Sequence, residues 1–529
     1  MSNTKAPHLV VEFPDAFNMA DYFVFANIDA GRGDKTAILF EGAEISYANV
    51  AEKVMAVAHN LVADGLLPES RVLVCMQDRP EFVYAWFGAI KAGAVVTQIN
   101  PLLPAADYEY YLNYTKPQFA FVDEKSLPEF EKALTNSRHC GRASGLDNVI
   151  VVGANAGNHN EFDAWATRTA KTGAQIWPTR KDDPAVWLFT SGSTGQSKGA
   201  VHTHSHFPFN TEVYAKAFLG VCENDITISG SKLFFGYSTG TNLMFPFAVG
   251  ATTVLLREQP RAEILFAAIE KHKATLFTSV PTLINKMLQA PEAQRRDMSS
   301  VRFMWSAGEA LPQGLHEEWN RNFGVPIIDG IGSAESFHIY ISNHPNDVRP
   351  GSLGKLVPGY EARLVDDDGK NVAQGDVGTL WLKGASAALY YHGAYEKSAQ
   401  HLRGGWIVSG DKFRQDREGY WYYEGRGDDL IKSGGIYVSP LEVENCLLQH
   451  EAVHECCVLG KKDSAGLEKP LAIVVLKPGQ SVTDAELILY AKTRLAHYKA
   501  PHEIVFMEAA LPRNDRDKID RKKLKAQHG

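Results

Sequence analysis

The sequence predicts an α/β protein: a large N-terminal body of layered, mostly parallel sheets with helices, a β-rich portion, and a small, mobile α+β lid at the C-terminus. Three observations predict it. Short β-branched apolar runs alternate with helical patterns up to about residue 355. Paired, antiparallel-looking strands follow. A smaller helix–strand pattern closes the chain.

The elements justify themselves in order. "YANVAEKVMAVAHNLVADG" carries apolar residues at helical spacing, and "RVLVCM" after it is a short buried strand. "AVVTQIN", "FAFVD", "NVIVVG" and "AVWLFT" read as further strands. "ATTVLL", "ATLFTSV" and "VRFMWSAG" repeat the pattern around the helix "AEILFAAIEKHK". Beyond residue 355, "EARLVDDDGK" and "GTLWLKG" form a strand pair about an Asp-Asp-Gly turn. "GWIVSGDKFRQDREGYWYYEGR" forms a second pair, turning near "DREG". "LEVENCLLQH" and "DAELILYAKTRLAHY" read as helices, and "HECCVLG", "LAIVVLK" and "HEIVFME" as strands. The polar, glycine-containing "EGRGDD" is the natural boundary. It divides a body at 1–425, β-rich over 355–425, from a lid at 426–529.

Composition narrows the function. At 529 residues the chain can bury a large core and hold more than one domain. Its apolar fraction of 45% and charged fraction of 22% suit an ordinary soluble protein. A net charge of −8 argues against a general nucleic-acid binder, yet allows a local basic pocket for a small polyanion. Cys75, Cys140, Cys222, Cys446, Cys456 and Cys457 form no CxxC pair, which points to a reducing, cytoplasmic setting. The N-terminal "MSNTKAPHLVVEFPDAF" has no apolar core of a signal peptide. With no run of about 18 apolar residues, no membrane helix is expected.

The segment "FTSGSTGQSKGAVHTH" (189–204) follows the apolar run "AVWLF". Glycines let backbone N–H groups approach an anion, hydroxyls add donors, and Lys198 adds a charge. Together they describe a phosphate cradle rather than a solvated loop. It is not the P-loop G-x-x-x-x-G-K-[ST]. Counted from Gly192, Ser197 stands where the second glycine belongs, and Gly199 follows Lys198. His202, His204 and His206 alternate, a spacing that on a strand could gather a metal, though none is expected here.

"TSGSTGxxKG" resembles the phosphate loop of the adenylate-forming superfamily of acyl-CoA synthetases, peptide-synthetase adenylation domains and luciferases. Further segments match in order: "SAGEALP" (306–312), "DGIGSAES" (329–336), "WIVSGD" ending in Asp411, "GRGDDLIKSGG" (425–435) and "LPRNDRDKIDR" around Lys518. The resemblance implies ATP, Mg2+ and coenzyme A, with roles residue by residue. Thr190, Ser191, Gly192, Ser193, Thr194, Gly195 and Lys198 would hold phosphates. Gly308, Glu309, Ala310, Asp329, Gly330, Ile331, Ser333 and Ala334 would line the adenine and α-phosphate. Asp411, with Arg426 beside it, would hold the ribose hydroxyls. Glu335, with Thr194 as a second donor, would take Mg2+, and Lys518 would act on carboxylate and α-phosphate together. A hinge at Asp428 would swing the lid, bringing Lys432, Ser433, Gly434 and Gly435 to a pantetheine tunnel gated by Phe235. Lys461, Lys462 and "AHYKAP" would serve the CoA 3′-phosphate.

Three positions depart from the pattern. Ser197 replaces the usual proline, a change in loop stiffness. Ala334 replaces a threonine, forfeiting a hydrogen bond to a charged group worth about 1.5–3 kcal/mol. Arg516-Asp517 precede Lys518 where Thr-Gly is common.

"SKLFFGYSTGTNLMFPFAVGATTVLL" and "GIGSAESFHIYISN" look most like the benzoate-CoA ligase branch. The implied acid pocket uses Gly236, Tyr237, Gly332, His338 and Ile339, with the two glycines leaving a flat slot for a ring. Ser238, Thr239 and Ser336 make this neighbourhood polar, so a substituted benzoate such as 2-aminobenzoate (anthranilate) is expected, although solvated hydroxyls would explain them equally well. Phe235-Gly236 leaves no carboxylate for an α-ammonium group, which argues against amino acids. Two alternatives stand beside the ligase: an aryl-acid enzyme loading a carrier protein, and a nucleotide or aryl-acid sensor. The resemblance also implies a homodimer.

Overall fold

The computed structural model describes residues 4–5, 9–138, 146, 148–168, 175–191, 196–291, 293–427, 429–433, 436–462, 468–513 and 519–529. Two large sheets organise the body. The first has seven strands in the order Ser197–Thr203, Pro184–Ser191, Val95–Gln98, Arg71–Cys75, Phe119–Asp123, Asn148–Val152 and Asn160–Glu161. All run parallel except Ser197–Thr203, which doubles back on Pro184–Ser191. Every residue of Val95–Gln98 and Phe119–Asp123 is buried, as expected of strands covered on both faces.

The second sheet has nine strands. Its parallel centre runs Ile327–Gly332, Phe303–Ser306, Leu276–Ser279, Ile226–Ser229, Thr252–Val254 and Thr36–Phe40. Antiparallel strands Ile339–Ser342, Lys355–Leu356 and Ala43–Ser46 finish its edges. The helix Tyr47–Ala63 starts where the Ser46 hydroxyl accepts from the Asn49 N–H, and it buries Val50, Val54, Val57 and Leu61 at helical spacing. The helix Pro80–Lys91 is buried almost all round. Both belong to the large apolar cluster that joins the sheets.

The β-rich portion is a six-stranded antiparallel sheet. Its two expected strand pairs are present. Glu361–Val365 pairs with Gly378–Lys383, and the Asp366 carboxylate closes the turn by accepting from the N–H groups of Asp368 and Lys370. Trp406–Gln415 pairs with Trp421–Arg426, and Asp416 caps that turn through the Glu418 and Tyr420 N–H groups.

The C-terminal region builds its own small cores around Val453–Lys462, Glu468–Leu476 and Glu503–Met507, with the helices Pro440–Leu448, Asp484–Lys492 and Arg521–His528. The helix expected to reach Tyr498 stops at Lys492. There the Thr493 hydroxyl bonds back to the Tyr490 carbonyl, and Arg494 and Leu495 both turn onto the Ala491 carbonyl. Among the described residues, no helix is long and apolar enough to cross a membrane.

Candidate functional site

The parallel centre of the nine-stranded sheet has a topological switch. Ile226–Ser229 is followed in sequence by the strand on one side of it, then by the strand on the other. In such sheets ligands bind outside the carboxyl ends of the strands, at the switch. Register aligns those ends: Ser229 sits beside Thr278, Ser279 beside Ser306, and Ser306 beside Asp329. The candidate residues of "FFGYST", "SAGEALP" and "DGIGSAES" leave the sheet along this one line.

On the nucleotide side, the Ser306 hydroxyl donates to Asp329 Oδ1 at 3.0 Å. Burial pushes the Asp329 carboxyl up to about 8, against the pull of that bond and of the Gly330 N–H. Gly308 has φ +85°, a conformation that suits glycine. Glu309 accepts from both the N–H and the hydroxyl of Thr282, tying the loop to the helix Pro281–Leu288. Asp411 faces Arg426 across an antiparallel pair. Burial raises the Asp411 carboxyl, while Arg426 and the Tyr423 hydroxyl, at 3.3 Å, lower it.

Glu335 lies close enough to Asp411 to raise it by charge repulsion. The Tyr391 hydroxyl donates to Glu335 Oε1 at 2.7 Å, and the Glu335 carbonyl accepts from the Ala388 N–H at 2.7 Å. His202 Nε2 donates to the Ala334 carbonyl at 2.7 Å, so the backbone just before Glu335 is held as well. Phe337 then takes φ +70° and ψ −57°, the γ-turn region, stacked on Phe207 at 3.5 Å. That turn separates Glu335 from His338. Magnesium takes one or two carboxylates with waters and substrate phosphates, so a single oriented Glu335 fits it. Bound there, it would draw charge from phosphate oxygens.

The phosphate-loop strands Pro184–Ser191 and Ser197–Thr203 place Thr190 opposite Lys198. Gly192, Ser193, Thr194 and Gly195 lie outside the described residues, as does the Ser191 side chain. So do Lys518, Asp428, Gly434, Gly435 and the side chains of Lys432 and Ser433. Lys461 bonds both oxygens of Glu503 at 2.9 Å, and Lys499 of "AHYKAP" bonds both oxygens of Glu442.

The three alternating histidines do not converge. His206 leaves the strand to begin a helix, and its Nδ1 lies 3.1 Å from His202 Nδ1. His204 Nδ1 accepts from the Met19 N–H instead. Burial drives His202 and His204 down to about 4, so both are neutral near pH 7. Among the described residues no cluster of three or more His, Cys, Asp or Glu could hold a metal.

On the acid side, Tyr237 and His338 stack at 5.6 Å, and Phe245 meets the imidazole edge-on at 4.7 Å. His338 Nε2 donates to the Tyr237 carbonyl at 2.9 Å, and burial lowers the imidazole to about 4. The hydroxyls that suggested a polar pocket are taken up within the fold. Ser238 donates to Ser229 Oγ, Thr239 to the Leu233 carbonyl, and Ser336 to the His338 carbonyl. All three residues are fully buried rather than solvated. His338 Nδ1 is buried and has no hydrogen-bond partner among the described residues. Ile339 is buried, Phe235 is 41% exposed, and a Cβ on Gly236 would touch Leu188 at 3.3 Å. Gly332 answers to its own chain: a Cβ there would lie 2.6 Å from the His338 carbonyl group.

Sequence reading missed Tyr391, the Ala334 contact of His202, and Gly240. Gly240 opens a π-helical turn (Gly240–Met244) next to His338, and a Cβ on it would lie 2.3 Å from the imidazole. Nothing local in "YYHGAY" or "STGTN" signals these contacts.

The switched sheet, the Glu335 and Asp411 carboxylates beside it and the ring cluster of Tyr237, Phe245 and His338 make up a candidate adenylate-forming site. The chain belongs to the AMP-binding enzyme family: residues 25–392 match its main model, and residues 442–518 match that of the AMP-binding enzyme C-terminal domain. It is 41% identical to a benzoate–CoA ligase of Thauera aromatica over 98% of this chain and 97% of the relative. It is 34% identical to a 4-hydroxybenzoate–CoA/benzoate–CoA ligase of Rhodopseudomonas palustris, over 96% and 93%. Among solved structures it resembles the anthranilate CoA ligase AuaEII in complex with anthranoyl-AMP, with a TM-score of 0.89, 37% identity, and 97% and 98% of the chains covered. A benzoate CoA ligase from Burkholderia xenovorans follows at 0.85 and 38%, over 96% and 99%.

Proposed function

We propose that this protein activates a small aromatic carboxylic acid with ATP and passes the acyl group to coenzyme A. The carboxylate attacks the α-phosphorus and pyrophosphate leaves. The CoA thiol then displaces AMP and gives up its proton. Asp411 and Arg426 hold the ribose, Glu335 takes the magnesium, and Lys198 faces the departing phosphates. Lys518 bridges carboxylate and α-phosphate in the first step. Rotation about Asp428 then replaces it with the 432–435 segment and opens the tunnel past Phe235. The free thiols Cys75, Cys222, Cys446, Cys456 and Cys457 suit a reducing, cytoplasmic setting.

The acid is a benzoate with an N–H or O–H donor on the ring, 2-aminobenzoate first. One observation carries this choice: the buried, neutral Nδ1 of His338, packed among the rings of Tyr237 and Phe245, has no partner among the described residues. Leaving that acceptor unpaired against a bare ring costs about 1–3 kcal/mol. The similarity to a ligase solved with anthranoyl-AMP supports it.

The test is an acid panel with ATP, Mg2+ and CoA, with AMP and thioester read by mass spectrometry. It should favour 2-aminobenzoate over benzoate by kcat/KM. Equal or better use of benzoate would refute the donor assignment. Adenylate without CoA thioester would point to a carrier protein as acceptor, and no AMP from any acid would favour a sensor.

A further inference from the structure

The helix Ala105–Thr115 carries "YEYYLNY". Tyr108 and Leu112, one turn apart, are buried beneath it. The other three tyrosines face the returning limb of the phosphate loop. The Tyr110 hydroxyl donates to the Ser197 carbonyl at 2.5 Å, and the Tyr111 hydroxyl donates to Ser197 Oγ at 3.1 Å. The Tyr114 hydroxyl accepts from the Gly199 N–H at 3.1 Å and donates to the His392 carbonyl at 2.6 Å. Tyr110 and Tyr114 stack at 5.6 Å, and Tyr111 packs edge-on against Phe189 at 4.8 Å. Lys198 is thus bracketed by two residues that the same helix holds.

The location makes this bracket consequential. Ser197 begins the outermost strand of the seven-stranded sheet, with Ser191 as its partner across the pair. A proline there would fix φ by itself. Serine does not, and its hydroxyl and carbonyl are the two atoms that Tyr111 and Tyr110 bond. We propose that Tyr110 and Tyr111 are positioning residues for ATP: they supply from outside the stiffness that Ser197 lacks, and so aim Lys198 at the β- and γ-phosphates. The proposal rests on the phosphate-loop reading of residues 190–199.

The test compares KM for ATP, for the aryl acid and for CoA in Tyr110→Phe, Tyr111→Phe, Lys198→Ala and Tyr111→Phe/Ser197→Pro. Each tyrosine variant should raise KM for ATP about fivefold, the share of one hydrogen bond, and leave the other two unchanged. Adding Ser197→Pro should restore the ATP KM of Tyr111→Phe, which a merely structural tyrosine would not allow. A wild-type ATP KM in both tyrosine variants, with a raised one in Lys198→Ala, overturns the clamp and leaves the loop reading standing. Parallel rises in all three KM values also overturn it, because they mean general loosening. An unchanged ATP KM in Lys198→Ala overturns the loop reading and the clamp with it.

Discussion

The proposed nucleotide side and the proposed acid side both adjoin the carboxyl ends of the switched sheet but are built on opposite principles. The nucleotide side presents carboxyl groups, each held by a neutral donor or a facing cation. Tyr391 holds Glu335, Ser306 holds Asp329, and Arg426 faces Asp411. The acid side withdraws its polar atoms into the fold and presents rings. Ser238, Thr239 and Ser336 all bond inward, and Tyr237, Phe245 and His338 pack together. One side is specified by what its residues are, the other by which way their atoms turn.

The largest effect should come from breaking the support of a charged group. Tyr391→Phe keeps the ring and removes the hydroxyl that orients Glu335. Groups that orient a metal-binding carboxylate typically contribute 10- to 100-fold in metal affinity. The half-saturating Mg2+ concentration for pyrophosphate release should therefore rise by about that factor, with KM for the acid unchanged. An unchanged Mg2+ requirement would mean that Glu335 is oriented by its backbone alone, through Ala388 and His202.

A smaller effect should follow on the acid side from a change that touches no charge. Gly240→Ala places a methyl group 2.3 Å from the His338 imidazole, which must tilt and give up its bond to the Tyr237 carbonyl. Overpacking of this kind costs about 1–3 kcal/mol. Discrimination between 2-aminobenzoate and benzoate should fall about tenfold while KM for ATP stays put. If both acids lose activity equally, His338 is not what separates them.

This contrast also explains what could be read in the sequence. The alternating runs gave both parallel sheets, because a buried parallel strand writes itself as a short continuous apolar word, as in "FAFVD". The motifs single out Asp411, Arg426 and Glu335, because charge chemistry needs those residue types; the structure sets Asp411 opposite Arg426 and within repulsive reach of Glu335. Tyr391 and the tyrosines of Ala105–Thr115 were invisible, because their partners lie 56 residues away at Glu335 and 86–87 away at Ser197. Ser238, Thr239 and Ser336 read as pocket polarity, because composition does not reveal which way a hydroxyl turns. The alternating histidines suggest a metal only if 202–206 is one strand, and the strand ends at Thr203 with a helix from His206.

The smallest expected effect separates the two sides by pH. Asp329 holds its proton up to about pH 8 in the folded protein, while an unfolded aspartate loses it near 3.8. Between those values the folded state binds more protons, so rising pH removes stability across that window and no more above it. His338 is lowered from 6.5 to about 4, so the unfolded state binds more protons between those values. It therefore contributes stability above pH 6.5 that is lost as pH falls toward 4. Asp329→Asn should flatten the decline of Tm between pH 6.5 and 8 in the ligand-free protein and, between about pH 4 and 6.5, steepen the acid limb that the opposite slope of Asp329 offsets. His338→Phe should soften the acid limb and leave the alkaline decline in place. Thermal melts from pH 4.5 to 8.5 on both variants read Asp329 alone above pH 6.5 and the two opposed slopes below it. If Asp329→Asn leaves the alkaline limb as steep as before, the carboxyl is ionised in the folded protein and the nucleotide side carries one more negative charge than its hydrogen bonds suggest.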